Sequence, residues 1–181
     1  MYSLSHSRSQ KALYVFGLLA TAFLVWQALD WSPRPYFLVV DGSDGTVELQ
    51  REIALRPNLK VKQNGVIHTQ FAPATLVYQD TTVQMDERTI LTIKSIRDDH
   101  LRFFSSRGHW NIVPDRDITT CTRAVCINTA SEVEVFYYTP GEVVDVRVTG
   151  DATVTFGDET FFLEAEDRIV IDELTREVRQ N

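Results

Sequence analysis

Along most of the chain after residue 35, side chains alternate between apolar and polar. Val133, Val135 and Tyr137 alternate with Glu132, Glu134 and Phe136, and Val144, Val146 and Val148 alternate with Asp145, Arg147 and Thr149. A period of two puts one set on a buried face and the other in water, which is the signature of β-strands. The pattern continues through Val154 and Phe156, Phe161 and Leu163, and Ile169 and Ile171, with Gly141, Gly150-Asp151 and Gly157-Asp158 as turn signals. Upstream, 36–40, 74–78 and 89–96 are β-rich runs, the last two lying either side of the turn Asp86-Glu87-Arg88. The loop Asp41-Gly42-Ser43-Asp44-Gly45 lacks the twelve-residue ligand frame of a calcium loop, so a hairpin turn is expected there. Only 172–179 is polar and helix-tolerant, and it is short. Many short strands with regular turns predict an all-β fold, a sandwich, barrel or solenoid.

One stretch breaks this pattern. Residues 12–29, ALYVFGLLATAFLVWQAL, carry no formal charge. As a helix they span ~27 Å, close to the hydrocarbon thickness of a bilayer. Arg8 and Lys11 precede the run and Asp30 follows it, while Trp26 and Trp31 sit where indole rings favour headgroups. The sequence therefore predicts a cytoplasmic tail over 1–11 and a single transmembrane helix over 12–29. A linker and first strand over 30–44 and an exported β domain over 45–181 follow. Lys11, Gly17, Trp26 and Trp31 are the anchor residues in this reading, and the lipid bilayer is an expected partner. Gly17, Ala20 and Ala22 offer small side chains to a second helix, although lipid contact explains them equally. Two alternatives stand beside the anchor: cleavage as a signal peptide at Ala20-Thr21-Ala22, and a buried core helix.

Charge narrows the function classes. The 181 residues hold 18 Lys plus Arg against 25 Asp plus Glu, a net charge of −7. Nucleic acid is therefore not expected as a partner, because phosphate neutralisation needs clustered cations. Cys121 and Cys126 are the two cysteines. In an exported domain they are expected to form a disulfide, with a pair of buried thiols as the alternative. A zinc site would need two further ligands from His68, His100 and His109, which have no matching spacing, so no metal or cofactor is expected.

Catalytic signatures are missing: there is no G-x-S-x-G, H-E-x-x-H, G-x-x-x-x-G-K-[ST] or G-x-G-x-x-G. His109 beside Trp110 suits a base or, more plainly, a half-exposed strand histidine. No enzymatic activity is expected. Recognition has better candidates. Phe103-Phe104, Phe136-Tyr137-Tyr138 and Phe161-Phe162 place neighbouring aromatics on opposite strand faces, so part of each set faces out unless both faces are covered. Together with Trp110, these residues are the candidate interaction set.

The order of segments resembles the FecR-like periplasmic domain. Thr69, then Ala74-Thr75-Leu76-Val77-Tyr78-Gln79-Asp80-Thr81-Thr82-Val83, precede a second strand Thr89-Ile90-Leu91-Thr92-Ile93. Leu101-Arg102-Phe103-Phe104, Gly108-His109-Trp110-Asn111-Ile112-Val113 and Leu163-Glu164-Ala165-Glu166-Asp167 follow in the family's order, so the resemblance spans Gly45 to Ile171. Two steps depart from it: Asp80-Thr81-Thr82 lacks the usual glycine, and Phe136-Tyr137-Tyr138-Thr139-Pro140 replaces a Gly-Thr-x-Phe step. The resemblance implies a non-catalytic, solenoid-like envelope module contacting other proteins or wall components. Signalling members also carry a helical cytoplasmic segment that engages a sigma factor, and a polar tail of about ten residues is too short to fold as one.

These features together predict a membrane-anchored interaction or scaffold module. Its partners would be other membrane or envelope proteins. Its place would be the bacterial inner membrane, with the N-terminus cytoplasmic and the C-terminal domain periplasmic. An accessory or assembly subunit of a respiratory or photosynthetic complex is the favoured form. A FecR-like signalling protein is the first alternative and an envelope hydrolase the second.

Overall fold

The structure, a computed structural model, describes residues 17–22, 34–49, 51–138 and 141–181. Two compact units divide the chain, 1–34 and 35–181. All the strands of the described residues lie in the second, so the first strand at 36–41 belongs with the β domain.

The described residues form seventeen strands. The first nine are β1 (Tyr36–Asp41), β2 (Gly45–Glu48), β3 (Glu52–Ala54), β4 (Lys60–Lys62), β5 (Val66–Thr69), β6 (Ala74–Tyr78), β7 (Thr81–Met85), β8 (Ile90–Ile96) and β9 (His100–Val113). The remainder are β10 (Asp117–Cys121), β11 (Val125–Thr129), β12 (Val133–Tyr138), β13 (Val143–Val148), β14 (Ala152–Phe156), β15 (Glu159–Leu163), β16 (Arg168–Asp172) and β17 (Glu177–Gln180). The fold is all-β, as the alternation predicts.

Hydrogen bonding sorts the strands into two layers. The front layer runs β4-β1-β6-β7-β9-β12-β13-β16-β17. The back layer runs β3-β2-β5-β8-β9-β10-β11-β14-β15. Strand β9 belongs to both: Leu101 to Arg107 pair in the back layer, and Gly108 to Val113 in the front. The buried parity flips at the crossing, from Leu101, Phe103 and Ser105 to Trp110 and Ile112. Gly108 makes the crossing possible, with φ +108° and no room for a Cβ, which would lie 2.3 Å from Thr89 Oγ1. After β9 the chain lays down hairpins alternately: β10–β11 in the back, β12–β13 in the front, β14–β15 in the back and β16–β17 in the front.

The inward faces meet in one apolar core. Phe37 of β1 lies 5.6 Å, ring to ring, from Phe103 of β9, and the Trp110 indole N–H donates to Thr120 Oγ1 of β10 at 3.1 Å. Both contacts join the front layer to the back.

Several expectations are corrected. The single-pass membrane assignment is overturned, because among the described residues no helix is long and apolar enough to cross a membrane. Of the apolar run, residues 17–22 are described, and they are helical. Lys11, Trp26 and Trp31, and the rest of 12–29, lie outside the described residues; Gly17 is exposed.

The sheet is mixed rather than antiparallel throughout. β10 runs parallel to β9, because the chain leaves β9 in the front layer and re-enters the back layer beside the start of the same strand. The loop 41–45 is not a hairpin turn. β1 pairs with β4 and β6, β2 pairs with β3 and β5, and the loop carries the chain between layers. Gly45 there presses against the β5 backbone, where a Cβ would stand 2.1 Å from the His68 carbonyl oxygen. At the other end, 172–179 forms a turn leading into β17 rather than helix. Finally, Asp145 is buried instead of wet, because Arg168 on the neighbouring strand lies over it.

Candidate functional site

The outward face of β9, β12 and β13 in the front layer gathers the most chemistry. Backbone register sets its rows. His109 stands opposite Phe136, which stands opposite Asp145; Asn111 stands opposite Glu134, which stands opposite Arg147. Adjacent strands lie ~4.8 Å apart, close enough for cross-strand side chains to touch.

Three flat rings stack on this face. His109 lies on Phe136 with centroids 3.8 Å apart and planes 5° apart, and Phe136 is parallel to Tyr138 at 6.3 Å. Arg147 covers the Phe136 ring at 5.6 Å. Tyr138 is 55% exposed, so the stack ends in solvent.

Charges rim the stack. His109 Nδ1 lies 2.6 Å from Asp86 Oδ2, and Nε2 lies 3.1 Å from Glu134 Oε1. Asp86 is held in place by its backbone N–H, which donates to the His109 carbonyl. Each ring nitrogen of His109 thus faces a carboxylate oxygen. Glu134 is shared with Arg147 Nη1 at 3.6 Å. Beside the stack is a depression of about 400 Å³, lined in part by Asn111, Glu132, Glu134, Arg147, Glu166 and Arg168. Asn111 Nδ2 donates to Glu132 at 2.7 Å, while its buried Oδ1 has no partner. Arg168 grips Asp145 with two hydrogen bonds, 2.9 and 2.6 Å.

The candidate residues divide by burial. Phe103, Trp110 and Tyr137 are core residues and offer no free surface. The cause is strand parity, which turns one member of each aromatic set inward. Phe104 is half-buried with Lys94 over its ring, and Phe161 packs partly against the core. Phe162 is 75% exposed on edge strand β15, away from the stack in register. Phe136 and Tyr138 are therefore the members of the set that come together on one surface. Sequence reading missed the roles of Asp86, Glu134 and Arg147. Each comes from a separate segment, and only the pairing register brings it to His109 or Phe136.

Cys121 and Cys126 form a disulfide between directly opposed positions of the β10–β11 hairpin. Glu173 ties the tip of that hairpin to the front layer, accepting from Thr122 Oγ1, the Ala124 N–H and Tyr137 Oη. Among the described residues no group of three or more His, Cys, Asp or Glu converges to hold a metal ion.

No family model and no curated protein matches the sequence. Solved structures do match in fold. A crystal structure of a proposed anti-sigma factor from Parabacteroides distasonis aligns with TM-score 0.57 and 17% identity, over 64% of this chain and 58% of that one. A second crystal structure with the same description and organism aligns at 0.55 and 16%, over 63% and 57%. The chain thus spans under two thirds of the length of these relatives, and the likeness is one of fold.

Proposed function

We propose that this chain is a non-catalytic interaction module that docks a partner protein on the outward front face, with Phe136 and Tyr138 at the centre of the contact. The observation that carries this reading is the Tyr138 ring, 55% exposed yet aligned with Phe136 and His109 on a rigid sheet. Exposed aromatics prearranged by stacking lose little freedom on binding, and Tyr and Arg are enriched among the residues that dominate interfaces. Asp86, Glu134 and Arg147 form the polar rim that such contacts use to fix orientation. The disulfide supports an oxidising compartment, and a bacterial envelope setting fits it. In this setting the chain serves as an adaptor or accessory subunit of a larger assembly.

A second reading is regulatory. The fold likeness to proposed anti-sigma factors supports a FecR-like, solenoid-like sensing domain whose partner occupancy is the signal. Both readings place the contact on the same face. A photo-crosslinking side chain introduced at Tyr138 in living cells tests it, with Arg107 and Glu177 as control positions. Expected is a discrete adduct from position 138 alone. Equal adducts from all three positions, or none from 138, would contradict the docking surface.

A further inference from the structure

The back layer carries a second surface of different chemistry, independent of the front-face reading. A depression of about 420 Å³ opens on its outward side, and its lining includes Lys94, Arg97, Asp99, His100, Arg102 and Thr119. In a chain of net charge −7 this is a local concentration of positive charge. Asp99 is the one carboxylate of the lining, set against three permanent cations. Among the described residues, none of Lys94, Arg97 and Arg102 is in an ion pair. The front-face depression differs: there Arg147 is paired with Glu134 and Arg168 with Asp145.

A break in strand register builds the cluster. The β8–β9 pairing shifts register twice; the second shift falls between Ile93 opposite Phe103 and Ser95 opposite Arg102, leaving Lys94 as an extra residue. Strict alternation would turn Ser95 inward and Ile96 outward. The bulge instead leaves both Lys94 and Ser95 off the core and returns Ile96 to it, 5% exposed. Lys94 and Arg102 therefore line one depression, although like charges so placed repel each other. Beneath them the floor is fixed by hydrogen bonds. Thr119 Oγ1 donates to Asn128 Oδ1 at 2.6 Å and so accepts from His100 Nε2 at 2.8 Å. Above that hydrogen-bonded floor, the cationic side chains are in no ion pair among the described residues.

We propose that this depression binds a doubly charged oxyanion of the phosphate-monoester class, held by Lys94, Arg97 and Arg102. Three cations against Asp99 leave two positive charges, which a dianion balances. Guanidinium forks match tetrahedral oxyanions through paired hydrogen bonds, and the lysine adds a point charge.

Titration of the full chain, ¹⁵N-labelled, with inorganic phosphate, sulfate, glucose 6-phosphate and acetate tests the site. Expected are saturable amide shifts confined to 94–102 and 117–120 with the three dianions, and much weaker shifts with acetate. Tighter binding of glucose 6-phosphate than of inorganic phosphate identifies an esterified ligand, whereas equal binding identifies the free ion. Arg97→Gln with Arg102→Gln, and separately Lys94→Gln, each weaken phosphate binding about tenfold or more, as expected for loss of a charge-assisted hydrogen bond. Arg179→Gln, on the far edge of the front layer and paired with Glu177, leaves it unchanged. Should the double variant fail to fold, Lys94→Gln alone carries the test. Shifts that do not saturate, that map elsewhere, or that survive these substitutions would overturn the proposal.

Discussion

The indole N–H of Trp110 crosses the core to donate to Thr120 Oγ1 at 3.1 Å, and both residues are fully buried. This bond joins the layers beside β9, the one strand they share. Replacing Trp110 with Ala empties the largest buried side chain and should destabilise the fold by about 3–5 kcal/mol. Trp110→Phe keeps much of the volume but strips Thr120 of its donor, for about 1–3 kcal/mol. Urea denaturation checks the order; a Phe variant as unstable as Ala would show that the vacated volume adds nothing to the loss of the bond, contrary to this account.

The disulfide closes a short loop across β10–β11. Its stabilisation arises mainly from restricting the unfolded chain, and for so small a loop it amounts to about 2 kcal/mol. Cys121→Ser with Cys126→Ser, or reduction of the native chain, should lower the urea midpoint accordingly. An unchanged midpoint would show that the hairpin holds itself.

Two groups set opposite pH limits. Hydrogen bonds from Arg116, then Thr81, hold the Asp115 carboxyl well below the usual carboxylate range. A depressed folded pKa means that its contribution is present above the unfolded value near pH ~4 and is lost as pH falls further. Asp115→Asn should flatten the acid limb of stability. Burial, and then the Glu173 carboxylate, push the Tyr137 phenol up to about 12. The unfolded phenol ionises near pH ~10, so stability is intact below that and falls as pH climbs toward about 12. Tyr137→Phe should remove that decline. Thermal melts across pH read both limbs, and a native-like slope in either variant would refute the corresponding assignment.

Asp145 and Arg168 answer to each other across β13–β16. Arg168→Met alone leaves a buried carboxylate without its partner, so it should lower the melting temperature more than the double change with Asp145→Val does. Additive losses in this double-mutant cycle would contradict the coupling.

Much of the fold was legible because one face of most strands is uniformly apolar. Val144, Val146 and Val148, or Val154 and Phe156, reveal themselves by period alone. Strands β10 and β11 were harder: Thr119, Thr120, Thr122 and Thr129 are buried but polar, so the pattern there is weak. The parity flip at Gly108 hid the path of β9 between layers. The residues 41–45 have hairpin chemistry, but distant pairing of β1 with β6 decides their course. The apolar run at 12–29 satisfies length and charge rules for a span, while among the described residues no helix is long and apolar enough to cross a membrane. At the front face, Phe136 and Tyr138 could be named from sequence, whereas Asp86 and Arg147 depended on a register that no local pattern encodes.

Side-chain oxidation footprinting read by mass spectrometry, on the purified chain and on the chain in intact cells, tests the docking face most directly. Tyr138 should be labelled in isolation and protected in cells, while Phe71 and Phe162, 74% and 75% exposed, should be labelled in both. Equal labelling of Tyr138 in the two states would contradict it.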